Sequence, residues 1–86
     1  MLRTYLIDET GGRTVLIASS RKATVAQTTA FQRILKMLRS VRNREDYGQR
    51  VTIRAEVRDA KTDVLHRVIE GRILNGWVSM RGVQII

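Results

Sequence analysis

Alternation between apolar and polar residues in the C-terminal half constrains the fold more than any other feature of the sequence. Residues 51–58 read Val-Thr-Ile-Arg-Ala-Glu-Val-Arg, with every second side chain apolar. Because successive side chains of a β-strand point to opposite faces, this pattern predicts a half-buried strand. Two further strands, over residues 64–74 and 77–86, join at Asn75-Gly76, the dipeptide that most strongly favours a two-residue hairpin turn.

The turns between these strands predict which residues stand opposite one another. The Asn-Gly turn places Leu74 opposite Trp77, and a three-residue loop after Asp59 would place Val57 opposite Leu65. One face of the resulting antiparallel sheet is apolar, which makes it the face that packs against the core. The predicted members of this face are Val51, Ile53, Ala55, Val57, Leu65, Ile69, Ile73, Val78, Met80 and Ile86.

The N-terminal half predicts a hairpin followed by one helix. Residues 2–7 and 15–18 are rich in apolar side chains, and the acidic, glycine-containing segment 8–12 between them predicts a turn. Thr24 and Gln27 have the spacing of a capping box, which would start the helix close to them, near residue 25, and the helix should fray near residue 43. Apolar residues then recur at helical spacing and form one stripe. The stripe comprises Phe31, Ile34, Leu35, Leu38 and Val41.

Together these segments predict an α+β fold, a single domain over residues 1–86. Its element order is β-β-α-β-β-β, with one helix packed on an antiparallel sheet. Gly71 and Gly82 fall on the core face, where the missing side chains would let the helix approach closely, although a β-bulge at Gly71 is the alternative. A length of 86 residues and a mass of 9.9 kDa allow one modest core and exclude a large enzyme with a deep cleft.

Several classes of protein are excluded by what the sequence lacks. The chain contains no cysteine, which rules out disulfides, thiolate metal ligands and a cysteine nucleophile. Its longest purely apolar run, residues 15–18, is far shorter than the ~20 residues of a membrane-spanning helix. The N-terminus does not resemble a signal peptide. We therefore expect a soluble, cytoplasmic protein with no membrane partner.

The titratable residues form no recognisable catalytic or metal-binding pattern. His66 is the only histidine, and in the predicted register it lies in mid-strand opposite Glu56, an ordinary position for a strand residue. Asp59 and Asp63, like the other acidic pairs, fall in predicted turns, where carboxylates commonly bond their own backbone. Since catalysis needs a nucleophile, a base and an orienting group that converge, the sequence predicts a non-enzymatic protein without metal or cofactor.

Positive charge is concentrated in one part of the chain. Sixteen Lys and Arg residues against eight Asp and Glu give a formal charge of +8, and residues 10–44 contain eight bases and no acid. A solvated helix face usually mixes both signs, although a cationic face without a ligand is the other interpretation. The block predicts a surface that binds the phosphates of DNA or RNA, or alternatively an acidic protein surface. The candidate nucleic-acid-binding residues are Arg21, Lys22, Arg33, Lys36, Arg39, Arg42 and Arg44.

The second face of the predicted sheet mixes arginines, one tryptophan and aliphatic side chains. Glu70 opposite Arg81 predicts a cross-strand ion pair. Trp77 would stack on a base if this face bound a single strand, but an aliphatic strip beside a tryptophan is more typical of a protein interface. We therefore expect a protein partner or a second copy on this face, the latter forming a homodimer. The candidate interface residues are Val68, Trp77, Val83 and Ile85.

The first third of the chain resembles small phage-encoded proteins. The string Thr4-Tyr5-Leu6-Ile7-Asp8, followed by a returning strand and a helix, is similar to the start of anti-CRISPR proteins of the type I-E class, which match in size and element order. The resemblance implies a non-catalytic inhibitor that binds a protein complex of host defence. Such inhibitors are often acidic mimics of nucleic acid, whereas this chain is basic, and no functional residue is carried over.

Overall fold

Five strands form one antiparallel sheet, and one helix packs across one of its faces. The computed structural model describes residues 1–42, 51–74 and 76–86. Its elements are β1 (Leu2–Ile7), β2 (Arg13–Ser20), α1 (Ala23–Arg42), β3 (Val51–Asp59), β4 (Leu65–Leu74) and β5 (Trp77–Gln84). The strand order across the sheet is β2-β1-β3-β4-β5, so β2 and β5 are the edge strands. The predicted α+β class and element order are confirmed.

The register of the C-terminal hairpin is confirmed, with Leu74 opposite Trp77. Glu70 stands opposite Arg81 as well, but no nitrogen and oxygen of these two described side chains come within 4.0 Å, so the predicted ion pair is not formed. Because side chains on directly opposite positions share a face, the two residues remain neighbours on the side of the sheet away from α1.

The predicted register between β3 and β4 is wrong by two residues. Val57 lies opposite Arg67 rather than Leu65 for two reasons: the connection between the strands is longer than three residues, and the pairing shifts by one more residue at His66, between Val57 and Arg58. The Asp59 carboxylate holds this longer loop by accepting hydrogen bonds from the backbone N–H groups of Lys61 and Thr62, at 2.8 and 2.9 Å. The shift of two residues keeps the side chains of residues 51–57 and 67–73 on their predicted faces. Leu65 is the exception, because it stands opposite Arg58 on the open side and is outside the core cluster.

The helix begins at Ala23, slightly before the predicted start, so Thr24 lies inside its first turn and does not form a capping box. Gln27 instead points to the sheet, where its Oε1 accepts a hydrogen bond from Nη1 of Arg67 at 3.2 Å. The hydroxyl of Thr28 donates to the backbone carbonyl of Thr24 at 2.9 Å, a bond within the helix.

The core lies between α1 and the sheet and is built around small residues on the helix. Ala26, Ala30, Ile34 and Leu38, spaced four residues apart, are the buried row of α1. The predicted stripe included the last two but missed both alanines, and Leu35 is outside the core cluster. The buried apolar residues of the sheet are Leu2, Ala55, Val57, Ile69 and Ile73. Ile86, predicted on the core face, is 59% exposed because β5 ends at Gln84.

Two glycines set the distance between helix and sheet. A Cβ atom at Gly71 would lie 2.7 Å from side-chain atoms of Ile34, Leu38 and Met80. A Cβ atom at Gly82 would collide with the side-chain amide of Gln27. The pairing of β3 with β4 shifts after Val57 and not at residue 71, so close approach is confirmed and a bulge at Gly71 is not.

Candidate nucleic-acid interface

The side of α1 opposite the core presents basic residues to solvent. Since the buried row turns one side of the helix toward the sheet, Lys36 and Arg39 project away from it, and both are exposed. Arg21 and Lys22 lie in the short connection between β2 and α1 and are also exposed. These four predicted binding residues therefore follow the helix and the connection at its N-terminus.

Arg33 is exposed, but one N–H group of its guanidinium already donates a hydrogen bond within the protein. Its Nη1 donates a hydrogen bond to the backbone carbonyl oxygen of Leu16 at 2.7 Å. Leu16 is an extra residue of β2, since Thr4 pairs with Ile17 and Tyr5 with Val15. The bond holds the guanidinium between helix and edge strand, and its remaining N–H donors stay available for a ligand.

The described acidic residues stay away from this surface. No described carboxylate oxygen lies within 4.0 Å of a nitrogen of these five bases. In the β1–β2 turn, Asp8 accepts hydrogen bonds from the hydroxyl and backbone N–H of Thr10 and from the N–H of Gly12. These bonds, chiefly that of the Thr10 hydroxyl, lower the pKa of Asp8, and those of the β3–β4 loop lower the pKa of Asp59. The prediction that turn carboxylates accept hydrogen bonds from their own backbone is confirmed for Asp8 and Asp59.

The remaining bases of the acid-free block are placed differently. The side chain of Arg42, the last residue of α1, and the whole of Arg44 lie outside the described residues. Arg13 is on β2, where its Nη1 contacts both carboxylate oxygens of Asp63 at 3.0 Å. The guanidinium carbon of Arg13 lies 5.5 Å from the ring centre of Tyr5, and the hydrogen bond to Asp63 raises the pKa of Arg13. The block therefore does not map onto a single surface.

The open face, which we define as the side of the sheet away from α1, carries an ion-pair network that the sequence did not predict. Glu56 is only 8% exposed there, and its Oε1 accepts hydrogen bonds from Nε and Nη2 of Arg58 at 3.1 and 3.0 Å. Nη2 of Arg54 lies 3.7 Å from the other carboxylate oxygen. Arg58 also donates to the backbone carbonyl of Asp63 at 2.8 Å. The charged groups on this half of the sheet therefore bind to other groups of the protein itself.

The other half of the open face, on β4 and β5, is more exposed and mixes apolar with charged side chains. Three predicted interface residues lie there, with Val68 opposite Val83, both half-buried, and Trp77 80% exposed. The fourth, Ile85, lies beyond the end of β5 and is 51% exposed. Leu74, opposite Trp77, is 44% exposed. Trp77 and Val83 are ~20 Å apart along β5, and the pairs Arg72–Ser79 and Glu70–Arg81 lie between them, so the four residues do not form one patch. An exposed tryptophan beside a leucine is still an uncommon feature of a monomer surface.

His66 does not lie opposite Glu56 as predicted, because Val68 has that position. It is the extra residue of β4 where the pairing with β3 shifts, and its carbonyl oxygen accepts a hydrogen bond from the N–H of Ile85 at 2.9 Å. Among residues 1–42, 51–74 and 76–86, no group of three His, Cys, Asp or Glu side chains is placed to hold a metal ion.

Comparisons with protein family models, with curated proteins and with solved structures find no match to this chain. The resemblance to anti-CRISPR proteins therefore stays a prediction, and the geometry has to carry the functional argument alone. Within the described part of the chain, no helix combines the length and apolar character needed to cross a membrane.

Proposed function

We propose that this protein is a non-enzymatic nucleic-acid-binding protein, which contacts phosphates through α1 and the connection before it. One observation carries the proposal: five exposed bases have no described carboxylate within 4.0 Å. They are Arg21, Lys22, Arg33, Lys36 and Arg39. Phosphate oxygens bind such groups through charge-assisted hydrogen bonds, and the guanidinium fork of arginine suits them especially well.

The bases on and before α1 extend over a length that spans several phosphates of a nucleic-acid backbone. With a rise of ~1.5 Å per residue, Lys36 and Arg39 are ~4.5 Å apart along the helix axis, and Lys22 is ~25 Å from Arg39. Duplex DNA carries one charge per ~1.7 Å of its axis, so a helix of this length runs past many phosphates. An α-helix ~10–12 Å across also fits the width of the DNA major groove, ~12 Å.

Contacts of this kind favour an accessory or regulatory role over strict sequence reading. Phosphate contacts set the position of a protein on the nucleic acid and carry no sequence information themselves. We expect weak sequence specificity and binding to both DNA and RNA, with the cationic helix supplying most of the free energy of association.

The test is fluorescence anisotropy with labelled single- and double-stranded DNA and RNA, titrated over a range of salt concentrations. Five phosphate contacts predict a slope of about −4.5 for log K against log salt concentration on duplex DNA. Replacing Lys36 and Arg39 with glutamine should reduce the magnitude of this slope by about 1.8, equally for all sequences. An unchanged slope would remove α1 from the binding site.

A matched control separates the helix from net charge. Lys61 and Arg72 are also exposed, but they lie in the β3–β4 loop and on the open face. The variant with Lys61→Gln and Arg72→Gln loses the same two charges and should keep the slope of the unmodified protein. If both double variants lose affinity equally, the binding depends on total charge and the helix has no special part in it.

A second candidate function is recognition of a protein partner through the open face, as an anti-CRISPR-type inhibitor would require. The 80% exposure of Trp77 favours it. Replacing Trp77 and Val83 with serine should then abolish partner binding and leave nucleic-acid affinity unchanged. An absence of nucleic-acid binding at ~0.15 M salt, where the Debye length is ~8 Å, would favour this second function over the first.

A further inference from the structure

The free edge of β5 offers a row of backbone groups to another strand. β5 is an outer strand, and no other described strand pairs with this edge. In a hairpin closed by a two-residue turn, bonded and non-bonded pairs alternate, beginning with the bonded pair of Leu74 and Trp77. The backbone N–H and C=O groups of Val78, Met80 and Gly82 therefore point away from β4 along the free edge.

β5 has few of the features that usually protect an edge strand. It is eight residues long, it pairs with β4 without a register shift, and it contains one charged residue, Arg81, and no proline. Lysines, prolines and bulges are the common means of preventing edge pairing. The opposite edge strand, β2, is interrupted at Leu16 by a shift in its pairing with β1. β5 is therefore the edge better suited to pair with another chain.

The described side chains in the first half of α1 are uncharged on the side next to β5. A groove of about 410 Å³ is lined there by Gln27, Thr28, Phe31, Gln32 and Leu35. It lies toward β5 because the side chains of Gln27 and Phe31 sit over Gly82 of that strand. Each chain carries a net charge of +8, so two copies meet with least repulsion where neither presents a cluster of bases.

We propose that two copies of this chain associate through β5, antiparallel to one another, and form one ten-stranded sheet from two five-stranded ones. The twofold axis is perpendicular to the sheet, which places both α1 helices on the same side with their uncharged grooves facing each other. Twofold symmetry is the most common arrangement of identical chains. The association does not depend on the nucleic-acid function proposed above.

Side-chain charge selects the register of the paired strands. Two antiparallel registers overlap β5 with itself over seven of its eight residues. The register centred on Met80 places Trp77 opposite Val83 of the second copy and Ser79 opposite Arg81. The other register places Arg81 opposite Arg81, and like charges directly opposite are destabilising. The structure therefore assigns the first register, in which the second copy covers the exposed tryptophan.

The mass of the protein in solution tests the association. Light scattering without nucleic acid, from micromolar to submillimolar concentration, should approach twice the 9.9 kDa of one chain. Trp77→Ser should raise the dissociation constant of the dimer roughly tenfold or more, because exposed aromatic anchors carry much of the binding energy of an interface. Val15→Ser removes a 50% exposed valine from the other edge strand and should have no effect. A chain that stays monomeric at every concentration would overturn the proposal.

Disulfide trapping tests the register, since the chain has no cysteine of its own. Directly opposite residues of an antiparallel pair have Cβ atoms ~4.5–5.5 Å apart, close to the spacing that a disulfide requires. A mixture of Ser79→Cys and Arg81→Cys proteins under mild oxidation should link severalfold more completely than either variant alone. Ser19→Cys, at an exposed serine on β2, is the control. Dimers linked through Ser19→Cys would place the pairing at the other edge and overturn the assignment.

Discussion

The outer side of α1 and the open face of the sheet are both rich in bases, yet the fold treats their charges differently. On the open face the Arg58 side chain is 19% exposed and donates hydrogen bonds to Glu56. On the helix, Lys36 and Arg39 are exposed, and no described carboxylate lies within 4.0 Å of either. Bases that the fold pairs with an acid are therefore weaker evidence for a binding surface than the run of exposed bases on α1, none of which has a described carboxylate within 4.0 Å.

The difference follows from how each element gathers its neighbours. The sheet brings Arg13 of β2 and Asp63 of the β3–β4 loop together, although fifty residues separate them in sequence. A helix side chain meets mainly residues three and four positions away, and residues 10–42 supply no acid at any of these positions. The charges of Arg13, Arg54 and Arg58 are thus balanced within the fold, whereas the bases of α1, like Arg72 and Arg81 on the sheet, have no described carboxylate within 4.0 Å.

The greatest loss of stability is expected for Glu56→Gln. This change removes the charged acceptor of Arg58 from a largely buried site, and we expect the free energy of unfolding to fall by about 2–3 kcal/mol. Urea denaturation measures the loss. Glu70→Gln is the control, because Glu70 has no described basic partner within 4.0 Å and should cost less than about 0.5 kcal/mol. If Glu56→Gln lowers the free energy of unfolding no more than Glu70→Gln does, the ion pairs of Glu56 contribute nothing to stability.

Acid should destabilise the protein through its turns. Hydrogen bonds in the folded state lower the pKa of Asp8 below its ordinary value of 3.8, so their contribution is complete above that value. It is lost as the pH falls through the lower folded-state pKa. Asp8→Asn should therefore flatten the fall in melting temperature below about pH 4, whereas Glu9→Gln should not. An identical acid profile for the Asp8 variant would contradict this account.

A smaller effect is expected where Asp63 meets Arg13. The Arg13 side chain is 39% exposed and that of Asp63 is 54% exposed, so solvent screens the pair. Asp63→Asn should lower the melting temperature less than Glu56→Gln does, and added salt should shrink the difference from the unmodified protein. A salt-independent loss would show that Asp63 acts through the loop conformation and not through charge.

The free energy of unfolding should not depend on the side chains of Lys36 and Arg39. Lys36→Gln with Arg39→Gln should change the free energy of unfolding by less than about 0.5 kcal/mol, because these side chains contact no described partner group. The same variant should weaken binding to nucleic acid, which separates the two surfaces by experiment. A marked loss of stability would place these bases in the fold and remove the main argument for a ligand.

Local patterns in the sequence predicted most of the fold. Alternation over residues 51–58 and the Asn75-Gly76 turn predicted the C-terminal sheet, since both act between near neighbours. The β3–β4 register was wrong because the loop length depends on the hydrogen bonds of Asp59 and because His66 is an extra residue in β4, and composition reveals neither. The buried row of α1 was only half predicted, because Ala26 and Ala30 carry too little apolar surface to stand out as a stripe.

The sequence predicted the exposed bases of the candidate site but not the contacts that some of its side chains make. An unbroken run of bases is visible in the sequence, and the structure exposes Lys36 and Arg39 as expected. The contact of Arg33 with the Leu16 carbonyl could not be predicted, because it depends on an extra residue in a strand that precedes the helix. The alternation of β3 already places Arg54, Glu56 and Arg58 on one face, but the burial of Glu56 and the contact of Arg58 with the Asp63 carbonyl depend on the folded sheet and loop.

The two glycines beneath α1 also fix the helix along its own axis. Gly82 accommodates Gln27 in the first half of the helix, and Gly71 accommodates Ile34 and Leu38 in the second half. A slide of one turn, ~5.4 Å, would move these side chains onto strand positions that carry Cβ atoms. The two glycines therefore fix the position of α1 along its own axis, and the backbone positions of its basic residues are fixed relative to the sheet. A polyanion that binds this surface therefore has to fit its charges to basic residues whose backbone positions do not move.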